Sequence, residues 1–165
     1  TLNASRIIDA MMRVTGLGHE EFDEAALAVQ DAAGLRLVPY FEGERTPNLP
    51  DATASLEGMT LANSDRQHVA RATVDGLLDL MRFALDAVRA QGVPIERVVL
   101  VGGGARSRAV RALASGILGA EVEVPSPAEY VALGAAKQAA ALNVADLGAC
   151  GQTHRCADRA GGSDV

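Results

Sequence analysis

Three features of the sequence point to an α/β fold. Val98-Val99-Leu100-Val101 is a contiguous apolar run without polar alternation, the pattern of a strand covered on both faces of a parallel sheet. That run passes through Gly102-Gly103-Gly104 into a helical stretch, Ser107–Leu118, and then a second short strand, Glu121–Val124. A strand–helix–strand unit of this kind makes its crossover right-handed and its two strands parallel neighbours. Long segments of helical period flank the unit on both sides, which covers a short mixed or parallel sheet with helices.

The elements follow in chain order. Ile7/Met11 and Ile8/Met12 are spaced by four and predict a helix over 4–15, stopped by Gly16. Residues 20–33 form a second helix, with Glu20, Glu21, Asp23 and Glu24 in its first turns, where the helix dipole favours acidic side chains. Leu35–Tyr40 is a short strand closed by Pro39, and Gly43, Pro47, Asn48 and Pro50 make 41–51 a loop. A short extended stretch over 55–60 comes next. Ser64 with Gln67 has the form of a capping box opening the longest helix, whose apolar face runs through Val69, Leu77, Leu80 and Val88 to about Ala90. Gly92 and Pro94 end it, the strand–helix–strand unit follows, and Tyr130–Asn143 is a last, alanine-rich helix. Residues 146–165 are polar, glycine-rich and without period, and are expected to be a flexible tail after a domain over 1–145.

The chain has 165 residues, 48% of them hydrophobic, and a net charge of −6. That suffices for one packed core and is too short for two lobes with a cleft between them. Lys and Arg total 15 against 21 Asp and Glu, a balance that argues against nucleic acid or an anionic membrane as the partner. No apolar run approaches the roughly 20 residues of a membrane span. Cys150 and Cys156 stand in the tail, which is no disulfide framework and points to a reducing, cytoplasmic setting. With His154 they offer three metal ligands and no second pair, so no metal site is expected. Asp75, Asp79 and Asp86 read as a solvated stripe on the long helix, and His19 and His68 as solvated surface. The chain opens on Thr1 and enters helical periodicity almost at once, and is expected to be a piece of a longer protein with an apolar surface left uncovered.

The stretch that carries chemistry is Val98-Val-Leu-Val-Gly-Gly-Gly-Ala-Arg-Ser107. Glycines let a ligand approach the main chain and accept positive φ without cost. The helix that follows begins with free N–H groups and a positive dipole end, which suit a phosphate. A nucleotide-binding turn and a ligand-free tight turn both fit these residues. Gly102 and Gly104 have the spacing of the dinucleotide fingerprint, but position 107 is Ser, and the Gly-Lys-Ser/Thr ending of a P-loop is absent. Lys137 is the chain's one lysine and lies elsewhere, so a nucleotide here would be held by main-chain amides, apolar contacts and the arginines Arg106 or Arg108. The loop residues Glu44, Arg45 and Thr46 could border a cleft, but Glu-Arg-Thr-Pro reads first as a loop stabiliser.

Four stretches in order resemble the FGGY family of carbohydrate kinases over about residues 1–143. Ala54–Asp75 is similar to the family's second signature, Val101-Gly-Gly-Gly-Ala-Arg-Ser107 to its adenosine motif, and Glu129-Tyr-Val-Ala-Leu-Gly-Ala-Ala136 to its late helix. Gly43-Glu-Arg-Thr-Pro47 resembles the xylulokinase branch in particular. The resemblance implies a partial ribonuclease-H-like (actin-like ATPase) lobe. It also implies transfer of the γ-phosphate of ATP, with Mg²⁺, to a hydroxyl of a small sugar, D-xylulose above all. It places Gly102, Gly103, Gly104 and Ala105 against the nucleotide, with Gly134 letting the late helix approach that turn. Arg108 falls where glycerol kinases carry an adenine-contacting asparagine, and Asn3 near a nucleotide-facing helix start. The general-base aspartate and the phosphate-gripping turns are expected upstream of Thr1, so no catalytic residue is assigned in this chain and the chain alone is expected to be inactive. A missing upstream lobe or a second copy would complete the molecule. The alternatives are another sugar or polyol kinase of the family, such as a glycerol or ribulose kinase, or a non-catalytic nucleotide-binding or relic module.

Overall fold

The computed structural model describes residues 4–45, 47–126 and 128–153, with side chains described from 6 to 141 within those ranges. The first helix, α1, spans Ala4–Thr15 as the spacing predicts, and buries Ile7, Ile8 and Met11. Gly16 ends it at φ +69°, and the Thr15 hydroxyl donates to the Met11 carbonyl at 2.9 Å.

Helix α2 spans His19–Leu27 and turns Phe22, Asp23 and Ala26 inward. It ends well before the predicted residue 33. Past Leu27 the amide of Ala28 reaches only the Ala25 carbonyl, while the Arg71 guanidinium takes the carbonyls of Val29 and Gln30 at 3.0 and 2.7 Å. A side chain from another helix has claimed the acceptors that would have continued α2.

Strands β1 (Arg36–Val38) and β2 (Ser55–Glu57) pair antiparallel with Leu37 opposite Leu56. Within the loop between them Glu44 and Leu49 exchange main-chain hydrogen bonds at 2.9 and 2.8 Å.

Helix α3 spans Arg66–Arg89 and is the central post: α1, α2, α4 and β1 all pack on it. Val69, Ala70, Val74, Leu77 and Leu78 are buried along it, each of the larger ones contributing about 2 kcal/mol of transfer free energy. Gly76 is where β1 comes closest, since a Cβ there would stand 2.6 Å from the Leu37 carbonyl oxygen. The cap of α3 is Asp65, not Ser64 as the capping-box form suggested: the Asp65 carboxylate accepts the His68 N–H at 2.9 Å and pairs with the His68 ring. The carboxylate thus serves both the amide and the ring of one residue through its two oxygens, which a serine hydroxyl cannot do. Those hydrogen bonds, the backbone one first, hold the Asp65 carboxyl below its ordinary value of 3.8. A lowered carboxyl pKa means stability present above the ordinary aspartate range and lost as pH falls through the lowered value. Urea midpoints measured from pH 6 down to pH 2 should therefore fall less steeply in Asp65→Ala than in the parent chain, and identical slopes would contradict this role. The effect is small, because the carboxylate is half exposed.

Strands β3 (Arg97–Val99) and β4 (Glu121–Glu123) lie parallel, with Val98 opposite Val122. Helix α4 (Arg108–Leu118) connects them and buries Ala109, Val110, Ala114 and Leu118. The strand–helix–strand unit pairs its strands in parallel, as predicted, but its first strand is not buried on both faces. Leu100 is buried and Val98 half-buried against the core, whereas Val99 and Val101 are 46% and 49% exposed. Sheet residues alternate sides, and the helices packed on this sheet among described residues 4–126 cover the Val98 and Leu100 side. The acidic residues of α3 are paired along its surface, Asp75 with Arg71, Asp79 with Arg82 and Asp86 with Arg89.

A second unit begins after Ser126; its described element is α5 (Tyr130–Thr153), which runs past the predicted end at Asn143 and is helical through 146–153, where a tail without regular structure was expected. Of the tail cysteine–histidine group, His154 and Cys156 lie outside the described residues. No helix among the described residues is long and apolar enough to cross a membrane.

Candidate functional site

The main-chain corner after β3 is built by glycine. The Leu100 amide still donates to the Glu123 carbonyl at 2.9 Å, and the chain then leaves the sheet. Gly102 sits at φ +91°, in the left-handed region that strains any L side chain. Gly103–Arg106 close a single 3-10 turn, and the Ser107 amide donates to the Gly104 carbonyl at 3.2 Å. Ser107 caps α4, its hydroxyl oxygen accepting the Val110 N–H at 3.1 Å. A Cβ on Gly102 or Gly104 would meet no atom within 4 Å. At Gly102 the backbone alone demands glycine. Gly104 has neither a positive φ nor a crowded neighbour among the described residues, and it leaves open space beside the main chain.

That space is a pocket of about 350 Å³. Ile8 and Asp9 of α1 border it on one side and His19 and Asp23 of α2 on another, with Gly103, Gly104, Arg106 and Ser107 completing the wall. Ile8 offers an apolar surface, the turn offers peptide edges, and Asp9, His19 and Arg106 supply polar groups at the rim. A flat ligand with an apolar face and hydrogen-bonding edges suits such a lining.

One expectation is overturned here. The first turn of α4 does not offer free N–H groups to a phosphate. The Asp23 carboxylate, 8% exposed, occupies it. One of its oxygens accepts the Ser107 hydroxyl at 2.5 Å and the Ala109 N–H at 3.3 Å, and the other accepts the Arg108 N–H at 2.7 Å. A resident carboxylate satisfies these donors and the positive end of the helix, and a phosphate there would meet like charge. Sequence reasoning credited Asp23 to its own helix, where acidic residues are common, and the helix whose first turn it holds begins 85 residues further along. Asp9 and His19 also escaped notice as pocket residues, because only the packing of α1 and α2 against the turn brings them in.

The candidates from the sequence divide accordingly. Gly102, Gly103, Gly104 and Ala105 form the turn, Gly103 and Gly104 directly on the pocket wall. Arg106 joins them. The Arg108 side chain does not: its guanidinium stands 3.5 Å from the Glu24 carboxylate and lines a separate surface depression with Leu27 and Arg111. Asn3 lies outside the described residues, as does Thr46. Glu44 is buried, with an oxygen accepting the Arg45 N–H at 2.8 Å, in keeping with a loop-stabilising part. No cluster of three or more potential metal-ligating side chains occurs among the described residues.

With this geometry in place, comparison with known proteins adds four findings. The FGGY family of carbohydrate kinases, C-terminal domain, matches residues 5–142. The xylulose kinase of Streptomyces rubiginosus is 38% identical over 143 residues, which is 86% of this chain and 28% of that protein. A glycerol kinase of Renibacterium salmoninarum is 38% identical over 118 residues, 70% of this chain and 23% of that protein. The crystal structure of xylulose kinase from Bifidobacterium adolescentis superposes with a TM-score of 0.76 at 52% identity, over 85% of this chain and 28% of that one. The chain thus spans little more than a quarter of the length of the xylulose kinases it matches.

Proposed function

Since the chain belongs to the FGGY family of carbohydrate kinases, as its C-terminal domain with the family's actin-like ATPase fold, we propose that it forms the adenosine-binding side of a cytoplasmic kinase that passes the γ-phosphate of ATP to a sugar hydroxyl. The observation that carries this reading is Gly104, a glycine that neither conformation nor packing requires, bordering an open pocket. D-xylulose is the sugar we assign, on the likeness to xylulose kinases. The likeness to glycerol kinases supports a second reading, in which a polyol is the acceptor. The family domain is taken over the matched residues 5–142, and α5 continues beyond that span to Thr153.

In this reading the main chain of Gly102–Ala105 faces the nucleoside and Ile8 packs against the base. Arg106 stands at the pocket rim, and the carboxylate of Asp23 keeps phosphates away from the start of α4. ATP supplies the phosphoryl group, and Mg²⁺ arrives on its phosphates, since the described residues provide no ligand cluster. Phosphoryl transfer depends on positioning and charge neutralisation, and this chain contributes the first. None of its residues is assigned as the general base.

Calorimetric titration of the 165-residue chain with Mg²⁺–ATP should give a saturable heat. No heat at millimolar ATP would overturn the nucleotide reading. The same chain mixed with ATP, Mg²⁺ and D-xylulose should form no sugar-dependent ADP, because the base and the phosphate-gripping turns are assigned outside it. Turnover would contradict that division of labour.

A further inference from the structure

We propose that Asp23 is a positioning residue for nucleotide binding: by holding the first turn of α4 it fixes the glycine turn in the shape that receives the nucleoside. The inference rests on the nucleotide reading above and adds to it a residue that touches the turn from another helix.

Glycines hold no shape by themselves, because they lack side chains to lock and have the widest backbone freedom. Something must define Gly103–Arg106 from outside. On the upstream side the last sheet hydrogen bond is made at Leu100, two residues before Gly102. On the downstream side Ser107 is tied four ways: its amide to Gly104, its carbonyl to the Arg111 N–H, its hydroxyl oxygen to the Val110 N–H, and its hydroxyl proton to Asp23. Asp23 also takes the Arg108 and Ala109 amides. It sits in the middle of α2, a helix packed on both α3 and α4, so its carboxylate is a fixed point rather than a mobile one. The turn therefore hangs between a sheet edge and a carboxylate clamp, and the clamp forms part of the pocket wall. A preorganised turn binds a ligand without first having to be ordered.

Asp23→Asn keeps the shape and removes one acceptor. The amide group faces an N–H in either orientation. In the better one the Ser107 hydroxyl rotates to donate elsewhere and the Ala109 N–H loses its partner. Arg89→Ala serves as the comparison, since Arg89 binds the carbonyls of Leu118 and Gly119 at the opposite end of the same helix. Three quantities are measured on the full chain: thermal midpoint, amide hydrogen exchange, and ATP affinity by calorimetry. Asp23→Asn should speed exchange at Arg108 and Ala109 and weaken ATP binding about tenfold. Arg89→Ala should lower the midpoint while leaving ATP affinity within about twofold. Equal loss of affinity in the two variants would reduce Asp23 to a structural residue and overturn the proposal. So would unchanged ATP affinity in Asp23→Asn. A parent chain that binds no ATP would overturn the nucleotide reading itself and the binding half of this inference. Unchanged exchange at Arg108 and Ala109 in Asp23→Asn would overturn the positioning half independently of any nucleotide.

Discussion

Asn63→Ala should destabilise the chain by about 3 kcal/mol, which for a domain of this size is a fall of roughly 10 °C in Tm. Asn63 is fully buried, unusual for an amide side chain. Its carbonyl oxygen accepts the Thr60 N–H at 2.6 Å, and its amide donates to the carbonyls of Ala33 and Gly58 at 2.9 and 3.0 Å. One side chain thereby joins the turn before α3 to the segment before β1, where Ala33 itself sits at φ +49°. Truncation leaves one main-chain donor and two acceptors in a site closed to water, and the unmet groups cost more than the lost bonds. Asn63→Asp should also destabilise, since it restores the acceptor and turns the two donations into repulsions. Thermal and urea unfolding measure both, and a loss under about 1 kcal/mol for the alanine variant would show that water replaces the amide there.

Gly104→Leu should leave folding nearly intact and cut ATP affinity at least about tenfold. The site has no positive φ to forbid a side chain, and a Cβ there meets nothing within 4 Å. A leucine would project into the open space that the nucleoside is assigned. The two readings of the glycine turn separate cleanly on this variant. A ligand-free structural turn predicts parent-like stability and no change in any binding. A nucleotide turn predicts parent-like stability with binding lost. Calorimetric titration beside a thermal melt decides it.

How much of this was legible in the sequence depended on how local each signal was. The turn at Gly102–Gly104 announced itself, because an apolar strand, three glycines and a helix start are consecutive residues, and the parallel pairing of β3 with β4 followed from the short crossover between them. The end of α2 was not legible, because Arg71 terminates it from another helix. The run Val98–Val101 revealed a strand but not which helices cover it, and Val99 and Val101 lie on the side that no described helix of residues 4–126 covers. At the site the same division holds. Glycine positions could be read directly, whereas Asp23 looked like an ordinary acidic residue near a helix start and is in fact an acceptor for the cap and first turn of a distant one. The cap of α3 lies one residue past the Ser64–Gln67 pattern, because Asp65 bonds both the amide and the ring of His68, a pairing that the Ser-x-x-Gln form does not encode.

The central claim is that the glycine turn after β3 receives the nucleoside. Residue-resolved amide shifts of the chain, recorded in an ¹H–¹⁵N spectrum during titration with Mg²⁺–ATP, test it most directly. The account predicts saturating shifts concentrated at Gly103, Gly104, Ala105 and Ile8. Shifts confined instead to the exposed valine side of β3 at Val99 and Val101, or an unchanged spectrum at millimolar ATP, would contradict it.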